Sequence, residues 1–198
     1  MSDLINYNLV HPDPRESEVN STGGYVEVHT THHNHEAIRN IETAKLLAKL
    51  GYKVRLLQID TTPHHKNPDA YFTDEEIEVE FKHNLTPTRS AIEEAIRKGR
   101  RQADYLVIHI LSEVPAADLK AAIIGRMKFA SNVRKLWIIR NQYLITLTRE
   151  EIYDGTIALK IQRGDAKTGR LRHLKAMGGD LSPSIAKIQL FGGMRTPK

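Results

Sequence analysis

Three side chains of complementary chemistry fall within the stretch Asn67 to Lys82, NPDAYFTDEEIEVEFK: Asp69, Glu80 and Lys82. The residues Ile77 to Lys82 alternate apolar and charged, the pattern of a strand with two different faces. Successive strand side chains point to opposite sides, so Glu78, Glu80 and Lys82 share one face and Ile77, Val79 and Phe81 the other. Asp69, on the strand or turn before the hairpin, adds a third carboxylate to the charged patch. Carboxylates grouped in this way hold a hard divalent cation with open positions, Mg²⁺ or Mn²⁺. A neighbouring ammonium orients or helps deprotonate a water and steadies developing negative charge. Phosphodiester hydrolysis needs both. The competing explanation is an edge strand whose charges discourage aggregation.

Pro68-Asp69, followed after ten residues by Glu80-Phe81-Lys82, resembles the PD-(D/E)XK nuclease motif. Gly23 to Val28, the helix ending at Leu50-Gly51-Tyr52-Lys53-Val54, and the Ala95 to Ala103 segment narrow the resemblance further. They are similar to the C-terminal tRNase-like toxin domains of contact-dependent growth inhibition proteins, over roughly residues 23–150. The resemblance implies Asp69 and Glu80 as metal ligands, the backbone carbonyl of Phe81 as a third, and Lys82 as the catalytic ammonium. Glu78 is an additional ligand candidate. Glu42 is another, because resembling nucleases place a glutamate of the early helix near the metal; an exposed glutamate paired with Lys45 or Lys49 is the competing explanation. Gln102 matches a position close to the metal patch. A nucleic acid is then the substrate, DNA or RNA and tRNA among the latter, and an immunity or regulatory protein is a partner candidate.

The elements that must position these residues are legible as alternating patterns. Tyr25 to His29 alternates like a strand after the break at Gly23-Gly24. From His35 to Leu50, Ile38, Ile41, Ala44, Leu47 and Ala48 recur at helical spacing, with Gly51 at the stop. Lys53 to Ile59 reads as the next strand. Ser90-Ala91-Ile92-Glu93 reads as a capping box opening a helix that buries Ile92, Ala95, Ile96 and Gly99. Asp104 to Ile110 is a nearly continuous apolar strand, as expected for one covered on both faces. Pro115 to Phe129 contains a second helix on the stripe Leu119, Ile123, Ile124 and Met127. Lys135 to Ile139 and Tyr143 to Leu147 read as pairing strands. The predicted fold is α/β, a mixed central sheet flanked by helices, PD-(D/E)XK nuclease-like, with a basic C-terminal extension. Residues 1–22, polar and carrying Pro12 and Pro14, read as a flexible arm. Thr156 to Ile161 and Ile185 to Phe191 read as strands of a hairpin in the extension 151–198.

Composition sets the remaining bounds. The chain has 198 residues, a net charge of +5 and no cysteine, which excludes disulfides, thiolate zinc sites and cysteine nucleophiles. No apolar run approaches the length of a membrane span and no signal peptide opens the chain, so a cytoplasmic protein with no membrane contact is the expectation. From residue 151 onward nine Lys or Arg face four acids. A basic flank suits a polyanion, and Lys98, Arg101, Arg163, Lys167, Arg170 and Arg172 are the phosphate-contact candidates. His32, His33, His35, His64 and His65 fall on loops or a helix start and read as polar loop histidines rather than a zinc site, some within reach of a phosphate. The alternative function is a non-catalytic module that binds nucleic acid or protein on the same fold.

Overall fold

Apolar alternation becomes pairing in the computed structural model, which describes residues 6–12, 22–32, 35–60, 62, 65–141 and 143–164. One mixed sheet runs in chain order through β1 (Tyr7–His11), β2 (Tyr25–His29), β3 (Lys53–Leu56), β4 (Ala70–Phe72), β5 (Ile77–Asn84), β6 (Tyr105–Ile110), β7 (Lys135–Arg140) and β8 (Tyr143–Thr148). The parallel pairs β2–β3, β5–β6 and β6–β7 each need a crossover. These are supplied by α1 (His35–Ala48), α2 (Arg89–Gly99) and α3 (Ala116–Met127). The other neighbours pair antiparallel. A short helix, α4 (Arg149–Tyr153), follows β8.

The mixed α/β sheet with helices on both faces is thus as the sequence predicts, and its register explains the two cores. Val26, Val54, Phe72, Phe81, Val107 and Trp137 lie on one face and bury against Ala44, Leu47 and Ala48 of α1. Leu106, Ile108, Leu136 and Ile138 lie on the other and bury against Ile92, Ile96, Leu119, Ile123 and Met127 of α2 and α3. Each fully buried side chain of this kind contributes about 1.5–3 kcal/mol. Trp137 is fully buried, and its Nε1–H donates to the Tyr52 hydroxyl at 3.0 Å. At Gly24 two backbones come close: a Cβ there would lie 2.1 Å from the Ala48 carbonyl oxygen.

Several expectations are corrected. Residues 7–11, within the expected flexible arm, form edge strand β1 on β2. Of the stripe expected for α1, Ala44, Leu47 and Ala48 are buried and Ile41 packs against the core, but Ile38 is exposed, and Ala37, Asn40 and Thr43 are buried beside the stripe. The cap of α2 is Thr88, whose hydroxyl accepts from Ala91 N–H at 3.4 Å, and not Ser90. Thr156 to Ile161 is helical, within residues 156–164, and not a strand. Ile157 and Ile161 are four apart and both buried, which is helical spacing. The expected strand Ile185 to Phe191 lies outside the described residues.

Candidate active site

The site forms where β4 parts from β5. Ala70 is in register with Val79, so Asp69, one residue further out, lies opposite Glu80. The Asp69 carboxylate takes over where the ladder stops, its Oδ2 accepting from Phe81 N–H at 2.8 Å. A strand residue presents its N–H and C=O to the same edge, so the Phe81 carbonyl faces this gap as well. From the α1 side, Asn40 Nδ2 donates to Asp69 Oδ1 at 3.0 Å. From the end of α2, Gln102 Oε1 accepts from Asn67 N–H at 2.9 Å. Lys82 Nζ is hydrogen-bonded to Glu80 Oε1. Asp69, Glu80, Lys82 and Gln102 line one cavity of about 300 Å³, together with Asn40, His32, Asp60 and His65.

Glu80 is buried to 3% exposure and its Oε2 has no hydrogen-bond partner among the described residues. A buried carboxylate oxygen without a partner is costly unless the group is protonated or a cation meets it. Burial, and then the nearby Asp69 charge, raise the Glu80 pKa to about 8, against the pull of Lys82. Burial also raises the pKa of Asp69, opposed by the Phe81 N–H and the Lys82 charge. Both Asp69 oxygens are occupied as acceptors, so Glu80 is the member of the pair suited to carry a shared proton.

The remaining predicted residues divide. Glu78 is exposed and does not line the cavity, because the strand places it level with Tyr71, before the gap opens. Glu42 is exposed and outside the cavity; the position on α1 that meets Asp69 belongs to Asn40. A polar residue at helical spacing between Ala37 and Ala44 was the available sign. Lys98 lines a neighbouring groove of about 640 Å³ with Arg39, Lys82 and His83. Arg101 is exposed and lines neither cavity. Arg163 lines a separate cleft against β8 with Tyr143 and Lys160. Lys167, Arg170 and Arg172 lie outside the described residues.

Sequence reasoning also missed the polar plug beneath β5. The buried Thr43 hydroxyl lies 2.9 Å from both His83 Nε2 and His109 Nδ1. One hydroxyl proton serves two rings, donated to one nitrogen while the oxygen accepts from the other. Burial, followed by the neighbouring His109, lowers the His83 pKa to about 4, and burial lowers that of His109.

Among the described residues no group of three or more His, Asp or Glu side chains is arranged to hold a metal. Two carboxylates and one backbone carbonyl are an all-oxygen set, which suits a hard cation that keeps several waters. The unpartnered Glu80 Oε2 is the atom that fits such an ion.

Fold and site together define an α/β protein with a paired-carboxylate and lysine pocket at the fork of a mixed sheet. No family model matches the chain, and no curated protein matches it. Among solved structures it is similar to the CdiA-CT/CdiI toxin and immunity complex from Burkholderia pseudomallei, at 21% identity and a TM-score of 0.43. The match covers 57% of this chain and 83% of that one. No helix among the described residues is long and apolar enough to cross a membrane.

Proposed function

We propose that the chain is a metal-dependent endonuclease hydrolysing nucleic acid phosphodiester bonds, with Asp69, Glu80 and Lys82 as its catalytic residues. The observation that carries this reading is the buried, unpartnered Glu80 Oε2 beside Asp69 and Lys82 in one small cavity. Asp69, Glu80 and the Phe81 carbonyl would hold Mg²⁺ or Mn²⁺. Bound there, the ion supplies charge neutralisation on the phosphate and a water of lowered pKa. Asn40 and the Phe81 N–H fix the Asp69 carboxylate in direction. Lys82, one face-step from Glu80, orients the attacking water and steadies charge building on the phosphate. A toxin role and an immunity or regulatory partner rest on the sequence resemblance alone.

The test is incubation of the purified chain with duplex DNA, single strands and total tRNA, with Mg²⁺ or with chelator. Cleavage should need the metal, return when it is restored, and fall by at least ~10²-fold in Asp69→Asn, Glu80→Gln and Lys82→Met proteins that still fold. Metal-dependent cleavage persisting in all three would overturn the assignment. The second reading is a non-cutting nucleic acid binder, supported by the groove lined by Arg39, Lys82, His83 and Lys98. It predicts salt-sensitive binding, with log affinity falling by ~0.9 per log unit of salt for each duplex phosphate contacted, and no product with any metal.

A further inference from the structure

We propose that His65, oriented by Asp60, is the general acid that protonates the departing oxygen of the cleaved phosphodiester. This rests on the nuclease reading and extends it to the other end of the reaction. Asp69, Glu80 and Lys82 serve the attacking side, and Lys82 is engaged with Glu80. In that reading none of the three gives a proton to the leaving oxygen. An alkoxide expelled without a proton is a poor leaving group, and a positioned acid is worth about 10²–10⁴-fold.

His65 and Asp60 line the same cavity as the three catalytic residues. His65 Nδ1 lies 2.5 Å from Asp60 Oδ2, while Asp60 Oδ1 accepts from Thr62 N–H at 2.8 Å. Hydrogen bonds from Thr62, and then the imidazole, lower the Asp60 pKa to about 2, so it is a carboxylate at neutral pH. A carboxylate on Nδ1 fixes the tautomer and leaves Nε2 as the working nitrogen, which has no protein partner among the described residues. The imidazole is 67% exposed, open to a substrate entering the cavity.

The dyad is held at the cavity by the way its loop is tied. Leu57 N–H donates to the Asp69 carbonyl at 2.9 Å, closing the loop at its neck. Ile59 N–H donates to Thr31 Oγ1 at 3.1 Å, and His32 Nε2 lies 2.7 Å from the Leu57 carbonyl. Asn67 N–H is held by Gln102. An exposed His–Asp pair of this kind adds little to stability, so these ties do not serve the pair itself.

In the step, the water oxygen bonds to phosphorus and its proton passes to solvent. The bond from phosphorus to the leaving oxygen breaks, its electron pair stays on that oxygen, and the oxygen takes the Nε2 proton. Imidazole regains a proton from solvent. The products are a phosphomonoester end and a hydroxyl end.

The experiment compares two oligonucleotides in Mg²⁺, one natural and one with sulfur in place of the leaving oxygen at the cleaved bond, since a thiolate departs without a proton. His65→Ala should slow the natural substrate by 10²–10³-fold and the sulfur substrate by less than tenfold. Added imidazole should restore part of the lost rate, and Asp60→Asn should lie between wild type and His65→Ala. Equal losses on both substrates with no imidazole rescue, or no loss on the natural substrate, would overturn the assignment to His65 while leaving the nuclease intact. A wild-type chain that cuts neither substrate would remove the nuclease reading and this inference with it.

Discussion

Glu80→Gln removes a buried charge and nearly keeps its shape, and its effect on stability can be worked out in sign and size. In the wild-type fold burial and Asp69 raise the Glu80 pKa from the usual 4.5 to about 8. An acid whose folded pKa is raised takes up a proton on folding. Its favourable contribution is complete below 4.5 and is lost as pH climbs through about 8. Between pH 6 and the plateau above 8 that is two pH steps, a ceiling of roughly 3 kcal/mol at 1.36 kcal/mol each. The Lys82 pull is already contained in that value, and relaxation and water entering the cavity bring the ceiling down to about half. The variant carries no such term. Its stability relative to wild type should therefore rise by about 1–2 kcal/mol from pH 6 to pH 9 in chelator. Urea unfolding at the two pH values reads this as a relative midpoint shift of about 0.5–1 M, for a slope of ~1–3 kcal/mol per M. Mg²⁺ at pH 9 should reverse the order, because ligand at a hundred times Kd stabilises the wild type by about 2.7 kcal/mol. A stability of the variant relative to wild type that stays flat or falls from pH 6 to pH 9 in chelator would refute the reasoning.

Three further perturbations test other parts of the structure. Gly24→Ala drives a Cβ into the Ala48 carbonyl, a backbone clash that no rotamer relieves, and should lower stability by about 3 kcal/mol or more in thermal unfolding; a loss under 1 kcal/mol would count against the close approach. Thr43→Val strips the shared hydroxyl from His83 and His109 and should cost about 2–3 kcal/mol at pH 7, measured by urea unfolding. In the wild type, His83 is held neutral, its pKa lowered from 6.5 to about 4, so stability present above 6.5 is lost as pH falls through about 4. That acid limb is worth about 1–2 kcal/mol after solvent screening and should flatten in His83→Gln. Asn40→Ala frees one oxygen of Asp69 from its donor and should cut metal affinity or cleavage about 10–100-fold, seen as a higher Mg²⁺ requirement.

Strand existence was legible wherever β-branched and aromatic residues ran together, as in Tyr105–Ile110 and Lys135–Arg140, because burial on both faces leaves no polar positions to confuse the pattern. The grouping of Asp69, Glu80 and Lys82 was legible too, since strand parity and one antiparallel turn suffice to bring them together. The helix α1 was found with most of its buried stripe, Ile41, Ala44, Leu47 and Ala48, but not its polar inward positions. Ile38 was expected inside and is exposed, whereas Asn40 and Thr43 are inside, bonded to Asp69 and to two histidines. Hydropathy alone cannot anticipate a helix whose inward face serves a polar site. Thr88 displaced Ser90 as cap because the helix begins two residues earlier than the acid at Glu93 suggests. Thr156 to Ile161 failed for a similar reason: a short apolar run fits either period, and only the packing of Ile157 and Ile161 into the core with Ile145 decides.

The hydrogen bond from Leu57 to Asp69 works like a drawstring. Whatever length of chain hangs beyond it, the mouth stays shut and the carboxylate stays put. Doubling such a loop costs only about 0.6 kcal/mol in closure entropy. Insertions between Thr62 and His65 should therefore move His65 off Asp60 while Asp69 and Glu80 keep their places, so that on the proposed reading the leaving-group side and the attacking side of the site can be altered separately.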